Sequence, residues 1–421
     1  MTTTPSLIIV ADRILTGPAH FSPRAHQGVA IADGVIVVVD DADRLTARWS
    51  SVPVQRYGNS TVLPGLIDCH VHLTFPGDGS NFEEYARAPL EIMRTRALQN
   101  ARDHLAGGVT TLRDVGSPAG LLNWRDPPSP DLPRIIAYGP PITAPRGHMY
   151  LLGGECDSPA SMAVMAQHNL ERGADGIKVV ASGGGTVGTV PHEATLSVEQ
   201  IQAAVEVAHR HGAIVTSHAL ASESVRRSLE AGVDGIEHVA FLDSSGRSNL
   251  TSDLADHLVE TQVPIGGTIG ANYRYLQLVE QERASPERFE AQRIQSEYSE
   301  ANAATLHRLG ARFVAASDAG WRYTSFGDIA TELERMVAAG MAESFVIESA
   351  TAGAADALRL PRLGRIAEGY EADLLIVSGD PLQRISDIRS VLGVYRAGSP
   401  VLSRNRGASS TTEVKGATID R

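Results

Sequence analysis

Four histidines and one aspartate stand at the ends of short apolar runs, where they could bind metal ions. His70 and His72 close LPGLIDCHVH, His218 ends IVTSH, His238 ends DGIEH, and Asp318 follows RFVAAS. Side chains two residues apart in a strand point to the same face, so His70 and His72 can reach one point. Imidazole suits zinc and similar ions, and a carboxylate can join it or accept a proton from bound water. This set of residues predicts a metal site that could activate a water molecule.

Each of these residues also has an ordinary structural interpretation. Histidines at strand ends can serve as hydrogen-bonded polar residues, and an aspartate after a strand often caps a turn or helix. The metal hypothesis is favoured because several such residues recur in order at successive strand ends.

Lys178 lies inside the apolar run GIKVV. A lysine in such a run is rarely fully buried without a partner. It can extend to solvent or pair with a carboxylate. Alternatively, its amine can react with CO₂ to form an anionic carbamate whose two oxygens can bridge two cations.

The middle of the chain alternates strand and helix patterns, which is typical of parallel βαβ units. A closed (β/α)8 TIM barrel is the predicted fold; an open doubly wound sheet is the alternative, but no GxGxxG follows the first strand. Active sites of such barrels lie at the carboxyl ends of the strands, where the candidate residues stand. The eight predicted strands are 62–68, 108–113, 134–138, 175–180, 213–217, 234–238, 262–266 and 311–317. The predicted helices are 83–106, 158–172, 197–211, 221–231 and 325–340, with Ser197 and Gln200 as start signals and Gly212 as a stop signal.

Both chain ends carry short strand patterns, which predicts that they meet in one small β domain. These patterns are 7–11, 28–39, 51–63, 363–380 and 391–402. The predicted domains are a composite of 1–63 and 355–405, a barrel of 64–354, and a polar, disordered tail of 406–421.

Composition narrows the class of protein. The chain has 421 residues and a net charge of −12, so nucleic-acid binding is disfavoured. Its two cysteines, Cys69 and Cys156, suggest no disulfide framework, in keeping with a cytoplasmic location. The N-terminal apolar run, 7–11, is too short for a signal sequence or a membrane span. An even-numbered homo-oligomer is the expected assembly.

A series of ordered motifs resembles the amidohydrolase superfamily, in its imidazolonepropionase-like and Xaa-Pro dipeptidase-like branch. The motifs are VLPGLIDCHVHL, AGGVTTLRDVG, GADGIKVVASGG, TSHA, GIEHV, ASDAG and LGRIAEGYEADLLIV, spread from about Val10 to Leu402. The resemblance implies that the chain ends form a β-sandwich and that the barrel holds two divalent metal ions, usually zinc.

The resemblance also implies roles for the candidate residues. One ion would be bound by His70, His72 and Asp318, and the other by His218 and His238. Carboxylated Lys178 would bridge them, a bridging hydroxide would be the nucleophile, and Asp318 would move the proton.

Three further residues are implied to meet the substrate. His148 lies in PRGHMYLLGG, where the family more often has glycines than Arg146 and Met149. Tyr273 and Arg274 lie in GGTIGANYRY, at the place of the family's substrate-binding tyrosine. The Gly-rich segment SGGGTVGTVPHEATLS could close over the substrate.

The expected reaction is hydrolysis of an amide or peptide bond in a dipeptide or N-acyl amino acid. A hydrolase that trims a peptide natural product or cleaves an aromatic amide is an alternative, and the bond could also be an ester or carbamate. Two other classes remain open: a mononuclear deaminase and a non-catalytic barrel relative. The number of bound metal ions per chain distinguishes these classes: two for the binuclear hydrolase, one for the mononuclear deaminase and none for the non-catalytic relative.

Overall fold

The computed structural model describes residues 3–17, 24–80, 82–122, 129–271, 273, 276–277 and 286–401. Arg274 and the predicted tail of 406–421 lie outside these residues. No helix in the described part of the chain is both long and apolar enough to cross a membrane.

Strands occur at both chain ends and throughout the middle. In chain order they are β1 (Leu7–Ile14), β2 (Arg24–Ala32), β3 (Val35–Asp41), β4 (Val54–Pro64), β5 (Leu66–Val71), β6 (Val109–Asp114), β7 (Arg134–Ala137), β8 (Ile142–Thr143), β9 (Gly176–Val180), β10 (Ile214–His218), β11 (Gly235–Glu237), β12 (Ile265–Gly266), β13 (Phe313–Val314), β14 (Leu374–Ser378), β15 (Val391–Arg396) and β16 (Ser399–Pro400).

Helices alternate with the strands of the middle region. In chain order they are α1 (Ala42–Arg48), α2 (Phe82–Tyr85), α3 (Leu90–Ala106), α4 (Pro159–Glu171), α5 (Val198–Arg210), α6 (Ser222–Glu230), α7 (Ser252–Thr261), α8 (Pro286–Leu309), α9 (Ile329–Ala338), α10 (Glu343–Ser349) and α11 (Ala352–Ala357).

The two chain ends share one seven-stranded sheet, in the order β16-β15-β14-β4-β1-β2-β3. β14 runs antiparallel to β4, with Leu374 opposite Pro64, so strands from the two ends of the sequence pair directly. β4 then leads through Gly65 into β5, the first strand of the middle region.

The middle strands form two parallel sheets, β5-β6-β7 and β13-β12-β11-β10-β9-β8. Backbone hydrogen bonds join the two sheets on one side: Cys69 N donates to Ala315 O over 2.9 Å and Asp318 N to His70 O over 2.9 Å. On the other side, Asp175 N donates to Ala137 O over 2.8 Å. The fold is α/β with parallel sheets, as predicted.

Successive side chains of a strand point to opposite faces, and on β9 this places apolar residues in the core and Lys178 on the other face. On β9, Ile177 and Val179 belong to the main hydrophobic core, which also contains Ile201 and Val205 of α5. Lys178 lies between them in sequence and therefore faces the other way, towards a cavity that it lines.

Each predicted strand and helix overlaps an observed element, with three differences. The strand predicted over 62–68 is divided between the end of β4 and the start of β5, with Gly65 between them. The run 28–39 is a hairpin, because Asp33 and Gly34 both have positive φ, 49° and 78°, as a type I′ turn requires. The helix predicted over 83–106 is divided into α2 and α3, and Pro89 precedes the first residue of α3. The start of α5 is as predicted, with a capping box between Ser197 and Gln200.

Candidate metal centre

His70, His72 and Asp318 form a buried cluster at the carboxyl end of β5. Their ligand atoms all lie within 4.8 Å of one another. Asp318 Oδ1 is 3.6 Å from His70 Nε2 and 3.4 Å from His72 Nε2. Asp318 has a φ of 59°, a left-handed conformation that is uncommon outside glycine and often found at functional sites. The three residues predicted to bind one ion therefore do lie together.

Glu237, the last residue of β11, orients His70 from the side opposite Asp318. Its Oε2 is 2.8 Å from His70 Nδ1, and its Oε1 accepts hydrogen bonds from Arg113 and Thr216. Burial opposes ionisation, but the charge of Arg113 and the hydrogen bond from His70 hold the pKa of Glu237 below its usual value. An ionised carboxylate only accepts, so His70 carries its proton on Nδ1 and directs the lone pair of Nε2 towards Asp318.

His218 and His238 form a second pair, at the ends of β10 and β11. His218 Nε2 is 3.1 Å from the carbonyl oxygen of Gly183, to which it must donate. Burial lowers the pKa of His218 to about 3, so the ring is neutral and Nδ1 keeps a lone pair. That Nδ1 is 2.8 Å from His238 Nε2. The other nitrogen of His238, Nδ1, is 2.7 Å from the hydroxyl of Thr268.

Lys178 is the most unusual residue of the site. Its side chain is only 1% exposed, and no hydrogen-bond partner of its Nζ is found in the described part of the chain. Burial lowers the pKa of the amine to about 8, since the charged form is poorly solvated. A neutral amine is the form that can react with CO₂, so the environment is compatible with a carbamate.

The chemistry of this donor set fits divalent metal ions. Two nitrogens bound to one zinc ion at about 2.0–2.1 Å must lie within about 4 Å of each other, and the pair His218 and His238 satisfies this at 2.8 Å. Asp318 Oδ1 and Lys178 Nζ are buried polar atoms for which the described residues supply no hydrogen bond. Atoms of this kind normally have a partner, and cations would supply one.

These residues open onto one cavity of about 150 Å³. Besides the histidines, the wall contains polar side chains, among them Thr268, Gln295 and Ser299, and apolar ones, among them Leu220, Ile269 and Trp321. The lining residues are His70, His72, His148, Met149, Lys178, Gly184, Gly185, Pro191, His218, Leu220, His238, Thr268, Ile269, Ala271, Gln295, Ser296, Ser299, Asp318, Trp321 and Arg322.

His148 is buried against this cavity, and a hydroxyl holds it in place. Its Nδ1 is 2.8 Å from Thr186 Oγ1 in the Gly-rich segment, and its ring centroid is 4.6 Å from that of His218. Burial lowers the pKa of His148 well below its usual value, and the neighbouring His218 and His72 lower it further. Arg146 and Met149 have φ values of 56° and 63°, so the loop adopts left-handed backbone without the glycines more usual in the family.

The Gly-rich segment SGGGTVGTVPHEATLS forms part of the cavity wall. Gly184, Gly185 and Pro191 line it. Val187 N donates to Glu83 Oε1 of α2 over 2.9 Å, which ties the segment to the opposite side of the mouth.

The structure describes only one of the two substrate residues predicted in GGTIGANYRY, namely Tyr273. The Tyr273 ring centroid is 5.0 Å from the guanidinium carbon of Arg335, and Tyr273 is not among the described lining residues. Arg274 lies outside the described residues.

Sequence reasoning missed the residues that surround the predicted ligands. They are Arg113, Thr186, Glu237, Thr268, Trp321 and Arg322. For Glu237 a signal existed, because a glutamate inside GIEH is as unusual as a lysine inside GIKVV. The others have no local signal, because their partners are distant in sequence.

Comparison with known proteins places these features in a family. Residues 61–401 match the amidohydrolase family. The chain is 23% identical to ochratoxinase from Aspergillus niger over 427 aligned residues, 93% of this chain and 85% of that protein. It is 26% identical to imidazolonepropionase from Paraburkholderia phymatum over 248 residues, 52% of this chain and 60% of that protein. Among solved structures, a Xaa-Pro dipeptidase with methionine bound in its active site is similar, with a TM-score of 0.80, 25% identity, and coverage of 94% of this chain and 99% of that one.

Proposed function

The chain belongs to the amidohydrolase family and is a hydrolase of amide bonds, and we propose that it is a binuclear metal-dependent enzyme acting on a dipeptide or an N-acyl amino acid. It falls in the branch that contains imidazolonepropionases and Xaa-Pro dipeptidases. One observation carries the proposal. The buried amine of Lys178, for which the described residues supply no hydrogen-bond partner, shares one cavity with Asp318 and the four histidines His70, His72, His218 and His238.

The ligand assignment follows the two clusters. His70, His72 and Asp318 would hold one ion, His218 and His238 would hold the other, and Lys178, once carboxylated, would supply oxygen ligands to both. Zinc is the ion that four imidazoles and carboxylate oxygens suit best. When bound, the two cations supply a water of lowered pKa and polarise the scissile carbonyl.

The chain's own residues orient and move protons. Asp318 takes a proton at its carboxylate and passes it to the leaving amine, as a general base and then a general acid. His148 is neutral and anchored at Nδ1 by Thr186, so its Nε2 is directed to the substrate carbonyl. Glu237 fixes the ring of His70 without touching the substrate.

The names of the relatives support the substrate class. A Xaa-Pro dipeptidase and an ochratoxinase both align with nearly the whole chain. An aromatic amide is the second candidate, because Trp321 forms part of the cavity wall with its ring centroid 5.4 Å from that of His148.

We also propose how the chain is divided into a barrel and a second domain. The hydrogen bonds of β5 with residues 315–319, and of Ala137 with Asp175, support one closed (β/α)8 barrel over 64–354. The terminal sheet, which contains strands of both chain ends, supports a composite domain of 1–63 and 355–405, and a β-sandwich is the architecture that we propose for it.

The test combines metal analysis with turnover. Purified protein is analysed for zinc and other divalent ions, stripped with a chelator, reloaded, and assayed against a panel of dipeptides, N-acyl amino acids and aromatic amides. We expect two ions per chain and turnover that returns with zinc. One ion per chain would favour a mononuclear deaminase, and none would favour a non-catalytic relative.

A further inference from the structure

Thr186, in the Gly-rich segment, determines which ring nitrogen of His148 carries the proton. The backbone N–H of Thr186 donates to His148 Nδ1 over 3.3 Å. The hydroxyl oxygen of Thr186 accepts a hydrogen bond from Met149 N over 3.0 Å and lies 2.8 Å from the same Nδ1. A nitrogen that accepts from a backbone N–H cannot itself carry a proton, so the hydroxyl group donates to it as well. The proton of the neutral ring is therefore on Nε2.

This contact is sheltered from water, so the protein's own donors decide the state of the ring. Thr186 is 2% and His148 5% exposed. If Nδ1 were protonated, the buried N–H of Thr186 would lose its acceptor, and a buried donor without a partner is costly. Nδ1 and Nε2 lie on different edges of an imidazole ring. Nε2 is therefore the nitrogen left for the cavity that His148 lines.

The orientation of the His148 ring is fixed by its other neighbours. The ring centroid of His218 lies 4.6 Å away, and that of Trp321 lies 5.4 Å away with the two rings at 90°. On a further side, a Cβ atom added at Gly184 would lie 2.7 Å from His148 Nε2 and 2.5 Å from its Cδ2. Only glycine at this position leaves the ring in place, so the segment is fitted to His148 at two residues.

We propose that Thr186 is a positioning residue that keeps the proton of His148 on Nε2, so that His148 presents a hydrogen-bond donor to the substrate. A donor at this place matches an acceptor, such as the carbonyl oxygen of an amide, and stabilises the negative charge that develops on that oxygen. The other tautomer would present a lone pair to the same oxygen and repel it. This inference rests on the proposed amide hydrolysis and gives the hydroxyl group of Thr186 a role in it.

The experiment removes this hydroxyl group with little change in side-chain shape. Thr186→Val replaces the hydroxyl with a methyl group, and Thr186→Ser keeps the hydroxyl. Thr195→Val is the matched control, because the Thr195 hydroxyl in the same segment donates to Val180 O over 3.4 Å, and Thr195 is not among the described residues that line the cavity. Thr186→Val also removes the acceptor of Met149 N. His148→Leu and the double variant His148→Leu/Thr186→Val are therefore measured too.

The kinetic test uses the zinc-loaded proteins and N-acetyl-L-phenylalanine, following release of acetate. We expect Thr186→Val to lower kcat by about tenfold and to change KM by less than about twofold, because one hydrogen bond that acts on the transition state is lost. Thr186→Ser should stay within about threefold of the unaltered protein, since it keeps that bond. Thr195→Val should leave both constants unchanged.

The double variant shows whether Thr186 acts through His148. If it does, adding Thr186→Val to His148→Leu should cost no further activity, because the ring that the hydroxyl group positions is already absent. A further loss of about tenfold in the double variant would show that Thr186 acts on the segment as a whole, and the inference would be wrong.

Nitrogen-15 spectra separate this inference from the proposed reaction, because they need no substrate. Histidine rings are labelled in the zinc-loaded proteins, and the His148 signals are identified by their absence from His148→Leu. A proton on Nε2 in the unaltered protein, and a mixture of tautomers in Thr186→Val, would support the role of Thr186. The same spectra without cleavage of any amide would mean that the proposed reaction is wrong while the role of Thr186 stands. A proton on Nδ1 in the unaltered protein, or identical spectra for Thr186→Val, would overturn the inference.

Discussion

Glu237 accepts a hydrogen bond from His70 across 2.8 Å, although the two residues stand 167 positions apart on different strands. Arg113 and Thr216 occupy the other carboxylate oxygen. This one carboxylate therefore sets the tautomer of His70 and neutralises a buried guanidinium group at the same time.

Replacing Glu237 with Gln should weaken metal binding. The amide of Gln can still accept a hydrogen bond from His70, but it carries no charge, so Nε2 of His70 becomes a poorer metal ligand. Loss of a residue that hydrogen-bonds to a metal ligand typically lowers metal affinity by about 10–100-fold. Zinc affinity, measured by competition with a chelator, checks this. The matched control is Thr216→Val, which removes a hydrogen bond to the same carboxylate but leaves its charge. Equal affinities in Glu237→Gln and the unaltered protein would remove Glu237 from the metal site.

The same substitution should also destabilise the fold. Arg113 would remain buried opposite a neutral amide, and breaking a buried ion pair from one side costs roughly 3–5 kcal/mol. Denaturant unfolding of the metal-free proteins measures this cost separately from metal binding.

Replacing Lys178 with Ala should remove most activity, because the bridge between the two clusters disappears. Arg at this position should fail as well, since a guanidinium group cannot form the carbamate. Carbon-13 spectra of protein incubated with labelled bicarbonate should show a carbamate signal that is absent from Lys178→Ala. Partial recovery of Lys178→Ala by a short-chain acid would support the bridging role. Full activity with two tightly held ions in this variant would show that the carbamate hypothesis is wrong.

Replacing Asp318 with Asn should lower turnover by several orders of magnitude and leave a folded protein. The amide offers an oxygen of similar shape but cannot take and return a proton. Circular dichroism and metal content establish that fold and ions are retained. Turnover close to that of the unaltered enzyme would assign the proton transfer to another group.

The strands and their end residues could be predicted because the information is local. Apolar runs such as GIKVV, IVTSH and RFVAASD identify a strand and the residue that follows its buried part. The left-handed conformations of His238 and Asp318, with φ of 74° and 59°, could not be predicted, since neither residue is glycine.

The surroundings of the ligands depend on how distant strands are arranged. Glu237 meets His70 only because β5 and β11 face the same space. Arg322 meets Gly185 only because two loops, far apart in sequence, meet at one cavity mouth. Local sequence patterns do not contain such contacts. The sequence pointed to Tyr273 and Arg274 as substrate residues, whereas Trp321 and Arg322 line the described cavity.

Glu332 should give the protein a pH-dependent stability that a single substitution reveals. Its carboxylate on α9 accepts from Ile269 N over 3.0 Å and Gly270 N over 2.5 Å, and so holds the loop that follows β12. Burial raises the pKa of Glu332 from 4.5 to about 8. The folded state then binds this proton more tightly than the unfolded state does. The resulting stability is fully present below pH 4.5 and is lost as the pH rises through about 8.

The measurement is the melting temperature of the unaltered protein and of Glu332→Gln between about pH 6.5 and 9, a window above the ordinary pKa of histidine. Gln is neutral throughout, so its curve lacks this contribution, and the unaltered protein should lose stability relative to the variant as the pH rises. Lys178, with a pKa of about 8, titrates in the same window, but it does so in both proteins and cancels in the difference. Parallel curves would mean that Glu332 is already ionised at pH 6.5 and that its two backbone donors outweigh burial.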